Sequence, residues 1–137
     1  GIKTLENENV YIGEKDKGFY LCGVYDRFGF RYGSYEPDIN KALEKTTDFP
    51  TVLLAHQPKY INQLETTKGI DLILCGHTHG GQIFPFNFLV KLEQPYAKGL
   101  HTHNEFTQVY VNKGTGFWGP PMRLGASSEI TILKLSS

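Results

Sequence analysis

The sequence predicts an α/β domain, and three observations support this class. Two short apolar runs, 51–55 (TVLLA) and 70–75 (IDLILC), have the length and composition of buried strands. Between them the pattern becomes helical at Pro58, and Gly69 is placed to end that helix. A strand, a helix and a strand in this order form a βαβ unit, whose two strands are parallel and end at the same edge of the sheet.

The N-terminal part adds a hairpin and a short helix. The runs 8–12 and 18–25 are apolar and aromatic and flank a charged turn, which is typical of a β-hairpin. Asp38 then precedes apolar residues at helical spacing, and Pro50 closes the unit. We therefore expect two paired strands and one short amphipathic helix before the βαβ unit.

The C-terminal part predicts antiparallel strands after a long irregular segment. Residues 83–106 show no clear period, and long loops inside compact domains tend to be functional. Residues 107–112 and 129–135 alternate in polarity as strands do, and a Gly/Pro-rich stretch separates them.

Length and composition set limits on the function. The 137 residues suit one domain, 1–137, and the balance of 14 basic and 14 acidic residues argues against a nucleic-acid partner. Cys22 and Cys75 lack the spacing of a zinc or redox motif, so both are interpreted as buried free thiols. No run approaches the roughly 18 apolar residues that a membrane span needs.

Three histidines lie where the two central strands are predicted to end. His56 follows the first run, and His77 and His79 follow the second within a glycine-rich turn. Neutral imidazole is a strong ligand for first-row metals, and side chains at this shared edge can converge. Spacing alone leaves two interpretations open, a metal site or three hydrogen-bonded polar residues. The second pair, His101 and His103, lacks the buried strand and the glycines and is interpreted as loop histidines.

The three histidines at the strand ends lie in two segments, LLAHQP at 53–58 and GHTHGGQ at 76–82. These segments resemble the last two motifs of the calcineurin-like metallophosphoesterases. The later segments YVNKG at 110–114, GPPMRLG at 119–125 and EIT at 129–131 resemble a bacterial branch that is often anchored to membranes.

The resemblance implies a fold, a metal centre and a reaction. The fold would be the C-terminal half of a β-sandwich flanked by helices. His56 and His77 would bind one ion of a dinuclear site and His79 the other, with Mn, Fe, Zn or Mg as the metals. Such a centre polarises a phosphoryl oxygen and supplies hydroxide for phosphoester hydrolysis.

The earlier motifs of that family, which carry its metal-binding carboxylates, are not found in the sequence. Asp26 and Asp71 lie nearest to the predicted strand ends, but an Asp in a turn is ordinarily structural. We therefore expect the chain to be a fragment of a longer protein, weak or inactive alone and holding at most one weakly bound ion. The parent protein is expected to be cytoplasmic or membrane-associated, with any membrane association through the missing N-terminal part.

Two regions are candidates for substrate contacts. The aromatic segment 84–96 and the pair Phe117–Trp118 can either line an apolar groove for a lipid-linked phosphoester or pack onto the core. Arg123 can either pair with a substrate phosphate or lie on the surface.

Two other functions remain open for the histidines. One is a non-catalytic module that binds a single metal ion, and the other is a mononuclear His₃ hydrolase with an open position for water.

Overall fold

The structure, a computed structural model, describes residues 1–136, so Ser137 of the predicted domain 1–137 lies outside it. Its strands are β1 (Glu8–Glu14), β2 (Lys17–Gly23), β3 (Thr51–Leu54), β4 (Leu72–Cys75), β5 (Gly99–Thr102) and β6 (Gln108–Val111). Its α-helices are α1 (Ile39–Ala42) and α2 (Asn87–Glu93), and 3-10 helices span Gly29–Tyr32, Pro58–Gln63 and His79–Gly81.

The six strands form one mixed sheet in the order β1-β2-β3-β4-β6-β5. The four central strands β2, β3, β4 and β6 run parallel, whereas β1 and β5 pair antiparallel at the two edges. The predicted α/β class, the hairpin and the parallel pairing of β3 with β4 are confirmed. The carboxyl ends of β3 and β4 therefore lie side by side.

The core lies on one face of this sheet. A row of residues in direct register crosses the four parallel strands, and each is at most 2% exposed: Cys22, Leu53, Ile73 and Val109. Ala42 of α1 and the pair Tyr60 and Ile61 cover this row. The opposite face is less covered, since Leu54 is exposed at 36%. Both thiols, Cys22 and Cys75, are free and buried, as expected from the sequence.

The helix expected from Pro58 to Gly69 is shorter and tighter than predicted. It is a 3-10 helix that ends at Gln63, and Leu64 is already extended. Its hydrogen bonds join residues three positions apart, such as that from the Tyr60 N–H to the Gln57 carbonyl. The β-branched pair Thr66 and Thr67 disfavours continuation of a helix, because such side chains lose rotamer freedom there.

The segment 83–106 is more regular than predicted, since it contains α2 and β5. The residues of α2 are apolar on several sides, and none of them is buried. A helix without one buried stripe has no 3.6-residue period, which explains why the pattern did not reveal it.

The strand expected at 129–135 is not formed within the described residues. Both sides of β6 are already occupied by β4 and β5, so this segment finds no strand edge beside it. It lies instead across the sheet, where Thr131 bonds to Tyr110 at 2.8 Å and to Asn112 at 2.9 Å. Ile130 and Ile132 point away and are exposed at 86% and 94%.

Within residues 1–136, no helix combines the length and the apolar character required to cross a membrane.

Candidate metal centre

His56 and His77 meet at the carboxyl ends of β3 and β4. The Gly76 N–H donates to the His56 carbonyl at 3.0 Å, which holds the two strand ends together. The imidazole rings lie edge to face with centroids 5.0 Å apart, and His56 Nε2 is 3.3 Å from His77 Nδ1. The parallel pairing predicted from the sequence therefore brings these side chains into contact.

The turn that carries His77 and His79 has an unusual backbone. Both histidines have positive φ angles, +66° and +49°, which are uncommon for residues other than glycine. Thr78 between them is buried, donates to the Ala97 carbonyl at 2.7 Å and accepts from the Gly80 N–H at 3.2 Å. Left-handed conformations at bulky residues cost about 1–3 kcal/mol each and cluster at functional sites. The turn is therefore stabilised by the buried threonine.

His79 lies on the other side of the turn, against the segment that follows β6. Its Nδ1 is 3.3 Å from the Gly116 carbonyl and 3.2 Å from Arg123 Nη2. It lines the same cavity as His56 and His77. The structure thus brings the three predicted histidines to one cavity, with the first two in direct contact.

The surroundings of His77 favour its neutral form. Burial lowers the pKa of His77 from its ordinary value, and the neighbouring His56 acts in the same direction. The charge of Asp26 opposes this shift. A neutral imidazole is the form that ligates metals.

The chain is similar to proteins named as metallophosphoesterases. It is 52% identical over 135 residues to an uncharacterised metallophosphoesterase of Helicobacter pylori, covering 98% of this chain and 35% of that protein. It is 44% identical over 146 residues to a Bos taurus protein named transmembrane protein with metallophosphoesterase domain, covering 99% of this chain and 33% of that protein. An uncharacterised metallophosphoesterase of Aquifex aeolicus is 31% identical over 140 residues, covering 98% of this chain and 51% of that protein.

The chain belongs to the calcineurin-like metallophosphoesterases. It spans about a third of the length of the Helicobacter and Bos taurus relatives. No family model matches the chain, and no solved structure matches it.

The donor set of this metallophosphoesterase chain fits one shared ion at His56 and His77. Two imidazole nitrogens on one ion, each about 2.0–2.1 Å from it, lie roughly 2.9–3.4 Å apart at tetrahedral or octahedral angles. The observed separation of 3.3 Å falls in this range. Among the described residues, however, no group of three or more His, Cys, Asp or Glu side chains is arranged to hold an ion. A complete site therefore requires further ligands.

The two candidate carboxylates have structural partners. Asp26 accepts from Gln57 Nε2 at 3.0 and 3.1 Å and from the Phe28 N–H at 2.8 Å. Asp71 accepts from the Thr51 N–H at 2.7 Å, at the amino ends of β3 and β4 and away from the histidines. These contacts agree with the structural roles expected for both.

The sequence leaves Arg123 two roles, a partner of a substrate phosphate or a surface residue, and in the structure its side chain has backbone partners. Its guanidinium is surrounded by backbone carbonyls, including those of Gly116 at 2.6 Å and Lys113 at 2.8 Å. A phosphate would have to displace these carbonyls. The side chain is half-buried and connects the loop after β6 to the turn that carries His79.

The histidines lie in a cavity of about 540 Å³ that has an apolar wall. The wall consists of Leu89 and Val90 of α2, Phe86 directly before that helix, and Trp118. Phe86 and Trp118 lie edge to face with centroids 6.3 Å apart. The aromatic segment therefore lines a groove in part, and several of its rings are exposed rather than packed on the core, among them Phe84 and Phe88.

Gln82 is a residue of this site that sequence reasoning did not single out. It is fully buried, its Oε1 accepts from the Trp118 N–H at 2.7 Å, and its Nε2 donates to the Trp118 carbonyl at 2.7 Å. This two-bond clamp fixes Trp118 over the cavity. The sequence signals this role of Gln82 only by an amide side chain at the end of a glycine-rich turn. Its partner Trp118 lies 36 residues away.

Proposed function

We propose that the protein carrying this chain is a divalent-metal-dependent phosphoester hydrolase. The observation that carries the proposal is the contact between His56 and His77 at 3.3 Å, at the ends of two parallel strands and in one cavity with His79. The names of the relatives support the same chemistry. Residues 1–136 supply no complete set of ligands for such a centre, so we propose that this chain is weak or inactive without the rest of the protein.

The three histidines have separate roles in this proposal. His56 and His77 bind one ion, as neutral imidazoles, and His79 binds a second ion from the other side of the turn. Mn, Fe, Zn or Mg would supply Lewis-acid polarisation of the phosphoryl oxygen and a bound hydroxide. The protein's part is to hold the histidines with little freedom, which it does through Thr78 and the strand ends.

The proposal is tested on the full-length gene product. The protein is stripped with a chelator, and hydrolysis of p-nitrophenyl phosphate and its diester is measured as Mn²⁺ or Zn²⁺ is restored. We expect activity to return with two ions per chain and to be lost in His77→Ala. Binding of metal with no hydrolysis of either ester would instead support the non-catalytic module. Full activity with one ion per chain would support the mononuclear hydrolase.

We further propose that the substrate carries an apolar group beside its phosphoester. The wall of Phe86, Leu89, Val90 and Trp118 lies next to the histidines, and this wall is apolar where a sugar phosphate would require polar partners. A lipid-linked phosphoester would contact the histidines with its phosphoryl group and the apolar wall with its lipid. The Bos taurus relative is named a transmembrane protein, and we propose that this protein also works at a membrane.

A series of alkyl phosphates tests the substrate proposal. Each methylene buried against the wall stabilises binding by about 0.8 kcal/mol, so kcat/KM should rise about fourfold per carbon until the wall is covered. Leu89→Ala should flatten this rise. Leu92→Ala is a matched control on the same helix, because Leu92 is exposed at 84% and does not line the cavity. A flat dependence on chain length in the unmodified protein would refute the proposal.

A further inference from the structure

Arg27 lies in the turn that follows β2, the strand next to β3. The residue before it, Asp26, accepts from Gln57 Nε2 at 3.0 and 3.1 Å, and Gln57 is the residue after His56. The Gly29 N–H closes the turn by donating to the Asp26 carbonyl at 2.8 Å. These bonds hold the backbone of Arg27 beside the end of β3, where His56 follows.

The charge of Arg27 acts on two groups that line the cavity of the histidines, His77 and Glu93. Burial is the largest cause of the lowered pKa of His77, and the charge of Arg27 adds to it. The hydrogen bond from Lys59 is the largest cause of the lowered pKa of Glu93, and the charge of Arg27 adds to this shift too. Exposed charges more than about 8–10 Å apart are largely screened at physiological salt, so the guanidinium lies close to the cavity.

The guanidinium of Arg27 has no ion pair among residues 1–136, and its Nε–H is buried without a hydrogen-bond partner. The acidic groups around it already have partners. Glu93 pairs with Lys59 at 2.5 Å, and Asp26 accepts from Gln57. Arginine stays charged at any physiological pH, and a buried charged donor without an acceptor is costly. We therefore expect its acceptor to come from outside these residues.

Stacking on the neighbouring ring does not account for the burial of Arg27. Arg27 and Arg31 both lie over Phe28, with guanidinium carbons 5.2 and 4.5 Å from the ring centroid. Arg31 is exposed, whereas Arg27 is half-buried. The contact with Phe28 is common to both, and the buried Nε–H and the effect on the cavity belong to Arg27.

We propose that Arg27 binds the phosphoryl group of the substrate beside the metal site. Its planar fork of N–H donors matches two phosphate oxygens, and such charge-assisted hydrogen bonds are about twice as strong as neutral ones. A bound phosphoryl group accepts from the buried Nε–H and supplies the negative charge that the guanidinium lacks. The contact that the sequence leaves open for Arg123 is thereby assigned to Arg27. This inference rests on the proposed function, because it gives the same substrate a further partner.

The experiment uses the full-length protein loaded with Zn²⁺, with inorganic phosphate as the probe. In Arg27→Gln we expect the dissociation constant of phosphate, measured by calorimetric titration, to rise by about 10- to 100-fold, the loss expected for hydrogen bonds between charged groups. Arg27→Lys should recover part of the affinity, because lysine keeps the charge and loses the fork. The affinity for Zn²⁺ alone should stay within about twofold in both variants, since neither removes a metal ligand.

Arg31→Gln is the matched control, because it removes a guanidinium from the same Phe28 ring. Its phosphate affinity should equal that of the unmodified protein within about twofold. Circular dichroism and thermal melting of each variant establish that it is folded. A second measurement requires only the unmodified protein: saturating phosphate should shift the ¹⁵N signal of Arg27 Nε, assigned through its own backbone resonances.

Three results would overturn the proposal. The first is an unshifted Arg27 Nε signal at saturating phosphate, which holds even if Arg27→Gln fails to fold. The second is an equal phosphate affinity in Arg27→Gln and the unmodified protein, which would show that Arg27 has a structural partner instead. The third is an equal loss in Arg31→Gln. None of these readouts requires turnover, so phosphate binding that depends on Arg27 without phosphoester hydrolysis would contradict the proposed function and leave the phosphate site standing.

Discussion

The chain carries two His-Thr-His segments, 77–79 and 101–103, which lie in different structural surroundings. His77 and His79 follow β4, a parallel strand in the middle of the sheet. His101 lies on β5, an antiparallel strand at the edge, and His103 follows it. The same three letters therefore occur at the end of a buried strand and along an exposed one.

The surroundings give each pair different chemistry. The first pair has left-handed backbone at both histidines, and its rings face a shared cavity. The rings of the second pair contact Tyr96, since His101 stacks on it at 4.7 Å and His103 Nδ1 is 3.0 Å from its hydroxyl. His101 Nε2 is also 2.8 Å from the Lys98 carbonyl. The backbone around a His-x-His pair therefore decides whether it is a candidate metal site. Four predictions test this comparison.

The largest effect is expected at Cys75, the last residue of the strand before the first pair. Burial raises the pKa of the Cys75 thiol to about 12. At pH 8 its thiolate fraction is therefore roughly 10³-fold below that of a free cysteine with a pKa of about 8.5. Iodoacetamide labelling of the native protein, followed by mass spectrometry, should be slower by about this factor and should rise tenfold per pH unit. Labelling in denaturant is the control. Rapid labelling at pH 8 would mean that β4 is not buried.

The second prediction separates the two pairs directly. His77→Ala should weaken binding of Zn²⁺ to the full-length protein by at least about 100-fold, because loss of a ligand costs more than loss of an outer-shell partner. His101→Ala should change it by less than about twofold, as for a surface substitution away from the site. Calorimetric titration measures both. Equal effects of the two substitutions would remove the distinction between the pairs.

The third prediction concerns a glycine beside each pair. Gly81 has φ +88°, and a Cβ there would lie 2.4 Å from Asn87 Cα at the start of α2. Gly99 has φ +81° with nothing within 4 Å. Gly99→Ala should lower the free energy of unfolding by about 1–2 kcal/mol from backbone strain alone. Gly81→Ala should lower it by about 3 kcal/mol or more, since the clash with α2 adds to the strain. Denaturant titration of both variants tests this, and equal losses would show that α2 does not rest on Gly81.

The sequence predicted the position of the first pair because all its signals are local. The runs 51–55 and 70–75 are short and apolar, and histidine follows the first at once and the second after one glycine, so the parallel pairing alone places the side chains. The sequence did not predict helix α2, because its apolar residues lie on several sides and give no helical period. The segment 129–135 alternates as a strand does, but no pattern within it reveals that β6 has two neighbours already. Contacts of this kind depend on the assembled sheet and cannot be derived from one segment.

The smallest effect is expected at Gln82, whose role depends on a contact across 36 residues. Gln82→Ala leaves the backbone N–H and carbonyl of Trp118 without their partner, and each of these part-buried hydrogen bonds contributes about 0.5–1.5 kcal/mol. Gln82→Met is the sharper variant, because Met keeps most of the volume of the side chain and loses only its hydrogen bonds to Trp118. We therefore expect a smaller loss of unfolding free energy than for Ala, near the lower end of that range, because no cavity is created. Full stability in both variants would show that Trp118 is held over the cavity by packing alone.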